Sequence, residues 1–135
     1  MQKAAEETYA IQEAAERSGV TVHTLRYYER AGLLSPPGRS SSGYRRYTPG
    51  DLGRVRFLTM LRRTGMPIEQ MRAFVALERE GQASFGARYE LLAAHRQDLM
   101  ARLAELQGHL TYLDEKVRYY WELEQRREPG GATPA

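Results

Sequence analysis

The sequence predicts a mainly α-helical protein with two short helices near its start and one long helix near its end. Segments 11–18 and 21–31 each carry apolar residues at helical spacing, and Gly19-Val20 between them suits a tight turn. Much later, apolar residues recur every seven positions from residue 92 to residue 120, and a second apolar set lies four positions after three of them. The first pattern is typical of a helix-turn-helix, and the second is typical of a helix that pairs with a partner.

Local signals predict both short helices. In the first, Ile11, Ala14 and Ala15 face inward, and such small residues let two helices cross closely. The second starts at Thr21, whose hydroxyl can accept a hydrogen bond from a free backbone N–H. Gly32 is its expected terminator, because glycine readily adopts the left-handed conformation that ends helices.

The second helix has an outer face of hydrogen-bonding side chains. Val22 and Leu25 form its inner face. The outer face carries His23, Thr24, Arg26 and Tyr27. Such a helix suits the major groove of DNA and the phosphates beside it.

The middle of the chain predicts a hairpin and two further helices. Residues 35–43 hold two prolines, two glycines and four serines, which predicts a hairpin tip with a return strand over residues 44–47. Thr48-Pro49 with Asp51 predicts the start of a third helix that runs to about residue 64. Pro67 is expected to open a fourth helix, from residue 68 to about residue 80.

Positive charge is concentrated in the first half of the chain. Between Arg17 and Arg63 there are ten arginines and two acidic residues, Glu29 and Asp51. From Gly81 onward, seven basic residues stand against eight acidic ones. A cluster of this kind is expected where phosphates lie, and an arginine-rich solvated surface is the alternative.

Several classes of site are disfavoured by what the sequence lacks. It has no cysteine, so a disulfide, a thiolate metal site and a cysteine redox switch are excluded. His95 and His109 lie far apart without a third ligand at useful spacing, so we expect no metal, and no cofactor is expected either. The sequence shows no cluster of nucleophile and base, so no enzyme is predicted. No apolar run predicts a membrane span or a signal peptide, so we expect a cytoplasmic protein.

The long helix carries an apolar seam. Its seven-residue repeat begins at Leu92 and continues through Leu99, Leu103, Leu106, Leu110, Leu113, Val117 and Tyr120. A lone helix would expose this seam to water, so the pattern predicts that the helix packs against a partner. Packing of the helix on its own domain is the alternative.

Four blocks, in this order and spacing, carry a resemblance to a known family. They are Leu25-Arg26-Tyr27-Tyr28-Glu29, Gly32-Leu33-Leu34, Ser42-Gly43-Tyr44-Arg45-Arg46-Tyr47 and Asp51-Leu52. Together they resemble the DNA-binding domain of the MerR family of bacterial transcription regulators. The resemblance implies a DNA-binding domain over residues 9–80, a coiled-coil helix over residues 87–124, and flexible tails at residues 1–8 and 125–135.

The resemblance implies a winged helix-turn-helix followed by an antiparallel coiled-coil dimer. The hairpin would be the wing, and the two-fold dimer would bind a palindromic operator in double-stranded promoter DNA. Family members bend and untwist promoters whose spacer is too long, which aligns the two promoter elements for RNA polymerase.

The DNA contacts follow from the same resemblance. His23 and Thr24 are the expected base readers. The other expected contacts are Thr21, Arg26, Tyr27, Tyr28, Arg45, Arg46, Arg62 and Arg63. Arg54 carries less weight. For Tyr28, complete burial in the core is the alternative.

Three questions stay open at this stage. Segments 65–69 and 113–117 resemble the short aldehyde-responsive branch, whose members can carry a reactive cysteine where this chain has Met60. Without that thiol, we interpret Met60 as a core residue. A small-molecule effector site is one interpretation of the aromatic residues near the end of the long helix, and seam packing is the other; these are Tyr112, Tyr119, Tyr120 and Trp121. The alternatives to a promoter-distorting regulator are a heat-shock-type repressor of the same superfamily and a coiled-coil interaction module without specific DNA binding.

Overall fold

The computed structural model describes residues 7–35 and 46–130, and this part of the chain is mainly α-helical, as predicted. Its helices are α1 (Ile11–Ser18), α2 (Val22–Arg30), α3 (Pro49–Arg63), α4 (Ile68–Arg79) and α5 (Phe85–Arg126), with a 3₁₀ turn at Gly81–Ser84 before α5. Within these ranges, β pairing is limited to one isolated antiparallel bridge between Tyr9 and Tyr47. None of the described helices is long and apolar enough to cross a membrane.

The turn between α1 and α2 has the predicted construction. Gly19 adopts a left-handed backbone with φ 73°, and its N–H bonds back to the carbonyls of α1. Ala14 and Ala15 are buried where the helices meet. Thr21 caps α2, because its hydroxyl accepts the N–H of Thr24 at 3.1 Å. The turn therefore fixes where the outer face of α2 begins.

The end of α2 leads the chain into the core. Gly32 has φ 77°, which confirms it as the terminator. The N–H groups of Leu33 and Leu34 both donate to the carbonyl of Tyr28, at 2.9 and 3.3 Å. Both leucines are buried.

Helix α3 has a complete capping box. The Thr48 hydroxyl accepts the Asp51 N–H at 3.1 Å, and the Asp51 carboxylate accepts the Thr48 N–H at 2.8 Å. An apolar stripe along the helix is buried, at Leu52, Val55, Leu58 and Leu61. Because this stripe faces the core, the opposite side of α3 remains available to solvent.

Residues 36–43 of the predicted hairpin tip and residues 44–45 of its return strand lie outside the described residues. At the end of that segment, Tyr47 is buried and exchanges two backbone hydrogen bonds of 2.8 Å with Tyr9. Arg46 donates to the Thr8 hydroxyl at 3.0 Å and to the Thr8 carbonyl at 2.8 Å. Thr8, which belongs to the predicted N-terminal tail, therefore binds the chain where it leaves this segment.

The chain divides into two compact units, residues 1–93 and residues 94–135. The core of the first unit includes the stripe of α3 together with Met66, Met71 and Val75. From Arg96 to Arg126, the second unit is helix with every residue exposed. The predicted seam residues from Leu99 at 36% exposure to Tyr120 at 65% are among them, whereas Leu92 is partly buried against the core of the first unit.

One sequence-based interpretation is wrong. Met60 is 45% exposed, so it is not the core residue that we expected. The reason is helical phase: Leu58 and Leu61 point into the core, and position 60 turns outward between them.

Candidate nucleic-acid interface

The outer face of α2 presents the predicted DNA-contact residues to solvent. His23 and Arg26 are exposed, while Thr24 and Tyr27 are partly exposed. The inner face is set by Leu25, which is fully buried. Four of the predicted contact residues on α2 are therefore accessible on one helix surface.

The structure corrects the sequence prediction that Tyr28 contacts DNA. Its side chain is fully buried, and its hydroxyl forms a 3.1 Å hydrogen bond with the Thr59 hydroxyl of α3. Residues three apart share a helix face, so Tyr28 follows Leu25 into the core. Tyr28 therefore fixes α2 on α3, and it is removed from the set of expected DNA contacts.

A shallow concavity lies where the start of α2 meets the end of α3. Its volume is about 580 Å³, and it is lined by Gly19, Val20, Thr21, Thr24, Tyr28, Thr59, Arg62 and Arg63. The positive end of the α2 dipole and two guanidinium groups favour an anion at this place. Four predicted DNA-contact residues from two distant parts of the sequence thus meet at one surface, namely Thr21, Thr24, Arg62 and Arg63.

Arg62 and Tyr27 are also brought together. The Arg62 guanidinium carbon lies 5.3 Å from the centre of the Tyr27 ring, which is within range of a cation–π interaction. This contact links the exposed side of α3 to the outer face of α2. It orients both side chains without neutralising the charge of Arg62.

The arginines of the first unit divide into two groups. Several are engaged within the protein: Arg17 binds Glu13 at 3.1 Å, Arg54 binds Glu78 at 2.7 Å, and Arg56 donates to the Arg17 carbonyl at 3.2 Å. The other group has no side-chain hydrogen bond or ion pair within the described ranges, and it consists of Arg26, Arg30, Arg62 and Arg63. The second group is exposed and surrounds the concavity and the outer face of α2.

Of the two wing arginines, the structure describes Arg46, and Arg45 lies outside the described residues. Arg46 is partly buried, and its guanidinium is held by Thr8. The sequence alone did not identify Thr8, because nothing in a polar N-terminal segment marks one threonine as a partner for a residue 38 positions away.

Thr59 and Glu29 are two further residues that the sequence analysis missed. Thr59 is a buried polar group. The sequence contains a signal for it, because this threonine interrupts an otherwise apolar part of α3. Glu29 accepts a hydrogen bond from the Tyr47 hydroxyl, which ties α2 to the end of the wing segment. Both residues hold α2 in place, and neither is part of its outer face.

Two titratable groups at the edge of the domain are shifted. Burial, followed by a hydrogen bond with Glu7, raises the pKa of Tyr9. The hydrogen bond with Glu13 raises the pKa of Arg17, whose guanidinium lies 4.3 Å from the centre of the Tyr9 ring. Tyr9 therefore stays neutral and Arg17 stays charged near neutral pH. Among the described residues, no group of three histidine or acidic side chains is placed to hold a metal ion.

The turn, the outward face of α2 and the arginines beside it define a DNA-binding protein of the helix-turn-helix class. The family model for the MerR HTH family regulatory protein matches residues 9–77, and the model for the MerR DNA-binding region matches residues 52–116. The chain therefore belongs to the MerR family, and it is a DNA-binding transcription regulator.

Individual relatives agree with this assignment. An uncharacterized HTH-type transcriptional regulator of Haemophilus influenzae is 33% identical over 113 residues, which cover 84% of each chain. A MerR family transcriptional regulator of Listeria monocytogenes is 42% identical, with a TM-score of 0.77 over 83% of this chain and 85% of that one. HiNmlR, a MerR family regulator lacking the sensor domain and bound to promoter DNA, is 31% identical, with a TM-score of 0.81 over 89% of this chain and 95% of that one. The resemblance inferred from the four sequence blocks is thus confirmed.

Proposed function

We propose that this regulator acts as an antiparallel homodimer that binds a palindromic operator and distorts promoter DNA with an overlong spacer. The observation that carries the proposal is that one chain has two exposed features, the arginine-lined concavity and the uncovered seam on α5. A seam with leucines 36–63% exposed is stable in water when a second copy covers it. A two-fold dimer then presents two α2 helices to two half-sites.

Each half-site is read by the outer face of α2. His23 and Thr24 reach toward base edges, while Arg26 and Tyr27 contact the backbone beside them. The concavity receives a phosphate between the start of α2 and the end of α3, where Arg62 and Arg63 supply positive charge. Arg45 of the wing extends this set of phosphate contacts, and Arg46 joins it by exchanging its hydrogen bonds with Thr8.

Binding to promoter DNA is supported by the similarity to HiNmlR, a regulator that lacks the sensor domain and is bound to promoter DNA. The matched region covers 89% of the present sequence and 95% of that protein. Phosphate clamps on both half-sites hold the duplex, and their contacts offset the cost of bending it. RNA polymerase is then the partner that uses the realigned promoter.

A footprint on the region upstream of the regulator's own gene tests the proposal. Protection of an inverted repeat within an overlong spacer, with distorted central base pairs, is the expected result. Protection that covers a promoter of ordinary spacing would instead indicate a repressor. Binding that does not distinguish this DNA from a random sequence of equal length would favour the interaction-module alternative.

The concavity can be tested separately with Arg63→Ala. Loss of one phosphate contact per subunit is expected to weaken binding to operator and random DNA alike, and to reduce the salt slope by about one per contact. Arg118→Ala, an equal loss of charge on the exposed surface of α5, is the matched control. Equal salt slopes for the two variants would contradict the phosphate assignment.

A further inference from the structure

The seam of α5 contains a single charged position between apolar ones. Because the helix begins at Phe85, the alternating spacing of four and three extends back from Leu92 through Tyr89 to Phe85. Phe85 and Tyr89 are 58% and 69% exposed, so the seam is longer than the predicted repeat. Arg96 occupies the seam position between Leu92 and Leu99.

A charged residue in an apolar seam restricts how two helices pair. In a parallel pair in register, Arg96 would face Arg96 of the partner subunit. Two like charges would then share one layer of the interface, which is unfavourable. An antiparallel pair separates the two arginines, so the charge disfavours the parallel orientation.

We compare two antiparallel registers that lie one heptad apart. In the first, Leu99 faces Val117 of the partner subunit, and Leu92 faces Glu124 of the partner subunit. The second register places Phe85 against the same carboxylate, so this contact does not distinguish the two registers. The first register leaves Phe85 and Tyr89 beyond the main overlap, because α5 ends at Arg126.

The second register covers more of the seam. Here Leu99 faces Leu110 of the partner subunit, Leu103 faces Leu106 of the partner subunit, and Tyr89 faces Tyr120 of the partner subunit. Each pairing occurs twice because of the two-fold axis. Burial of the additional tyrosine layers favours this register.

The same register places a carboxylate next to the seam arginine. Arg96 faces the layer of Leu113 of the partner subunit, and the next residue along that helix is Asp114. In an antiparallel pair the residue after each such leucine lies on the flank next to the opposing arginine position. Within the described part of the chain, neither Arg96 nor Asp114 has an ion pair of its own.

We propose that Arg96 and Asp114 of the partner subunit form an ion pair, twice per dimer, which fixes the orientation and register of the two α5 helices. This inference rests on the homodimer proposed above. A slip by one heptad would move one helix along the other by about 10 Å. Because that movement would change the separation of the two α2 helices, the ion pair sets which half-site spacing the dimer can read.

Disulfide trapping tests the register directly, since the natural chain has no cysteine. The full-length variant L99C/L110C is expected to form disulfide-linked dimers under mild oxidation, whereas L99C/V117C is expected to remain largely unlinked. The reverse result would establish the other register. Equal linkage in both variants would show a parallel or mixed pair, and it would also overturn the proposal.

Charge exchange tests the two named residues. Asp114→Arg is expected to weaken dimerisation roughly tenfold or more, measured by sedimentation, because it places two positive charges together. The double variant Arg96→Asp with Asp114→Arg is expected to restore the dimer and the L99C/L110C disulfide. Asp98→Arg, an equal change off the seam, is the matched control.

The outcomes separate this inference from the proposed function. A wild-type dimer in which Asp114→Arg has no larger effect than Asp98→Arg would refute the ion pair and leave the homodimer intact. A wild-type chain that sediments as a monomer at all concentrations would refute both.

Discussion

Leu106→Asp is the sharpest test of the dimer, because it changes the centre of the seam and nothing in the DNA-binding unit. Leu106 is 63% exposed on the single chain, so the substitution should leave the fold of that chain nearly unchanged. In the dimer, both copies lose a buried leucine. Each leucine contributes about 1.5–3 kcal/mol of burial, so the two together contribute about 3–6 kcal/mol. This loss corresponds to a dimer dissociation constant raised by roughly 10²–10⁴-fold.

Sedimentation equilibrium across a range of protein concentrations measures this change. Ala104→Asp introduces the same charge two residues away, on the outer side of α5, and should leave the dimer intact. Circular dichroism of both variants checks that the helix is retained. Operator binding should fall with dimerisation, since one subunit engages one half-site. If Leu106→Asp and Ala104→Asp have the same dissociation constant, the interface does not lie along this seam.

Two further predictions concern the DNA-binding unit. Tyr28→Phe removes the hydrogen bond with Thr59 and should cost about 1 kcal/mol of stability, seen as a lower melting temperature. Its operator affinity well below melting should match the wild type, and a large loss of affinity would return Tyr28 to the set of DNA contacts. Thr48→Ala removes the cap of α3 and should also cost about 1 kcal/mol in chemical denaturation. Thr111→Ala, on the exposed α5, is its control, and equal stability of the two variants would contradict the importance of the cap.

Helix boundaries could be predicted from sequence because each one depends on residues close together in the chain. Gly19, Thr21, Gly32 and the Thr48–Asp51 box act through hydrogen bonds that span five residues or fewer. The structure confirms these signals, with α1 spanning the predicted residues 11–18. Tyr28 could not be decided in the same way, because an aromatic residue at helical spacing suits either a core or a DNA contact. Its role depends on Thr59, which is 31 positions away.

The same limit applies to Met60 and to the partner of Arg46. Met60 lies between two buried leucines, and only the phase of α3 against the rest of the core shows that it points outward. Thr8 binds Arg46 because Tyr9 and Tyr47 bring two distant segments together. Contacts of this kind are set by tertiary structure, so neither composition nor periodicity contains them.

Charge counted along a sequence overstates the number of phosphate contacts, and the structure shows why. Arginine side chains are long enough to cap helices, bridge helices and cover aromatic rings, and each of these uses removes a guanidinium from the DNA-facing surface. Arg54 is neutralised by Glu78, and Arg17 is shared between Glu13 and Tyr9. The salt dependence of binding should therefore follow the exposed group around α2 and the end of α3, together with the wing, and not the ten arginines between Arg17 and Arg63. A measured slope that required all ten contacts per subunit would mean that these internal ion pairs open when DNA binds.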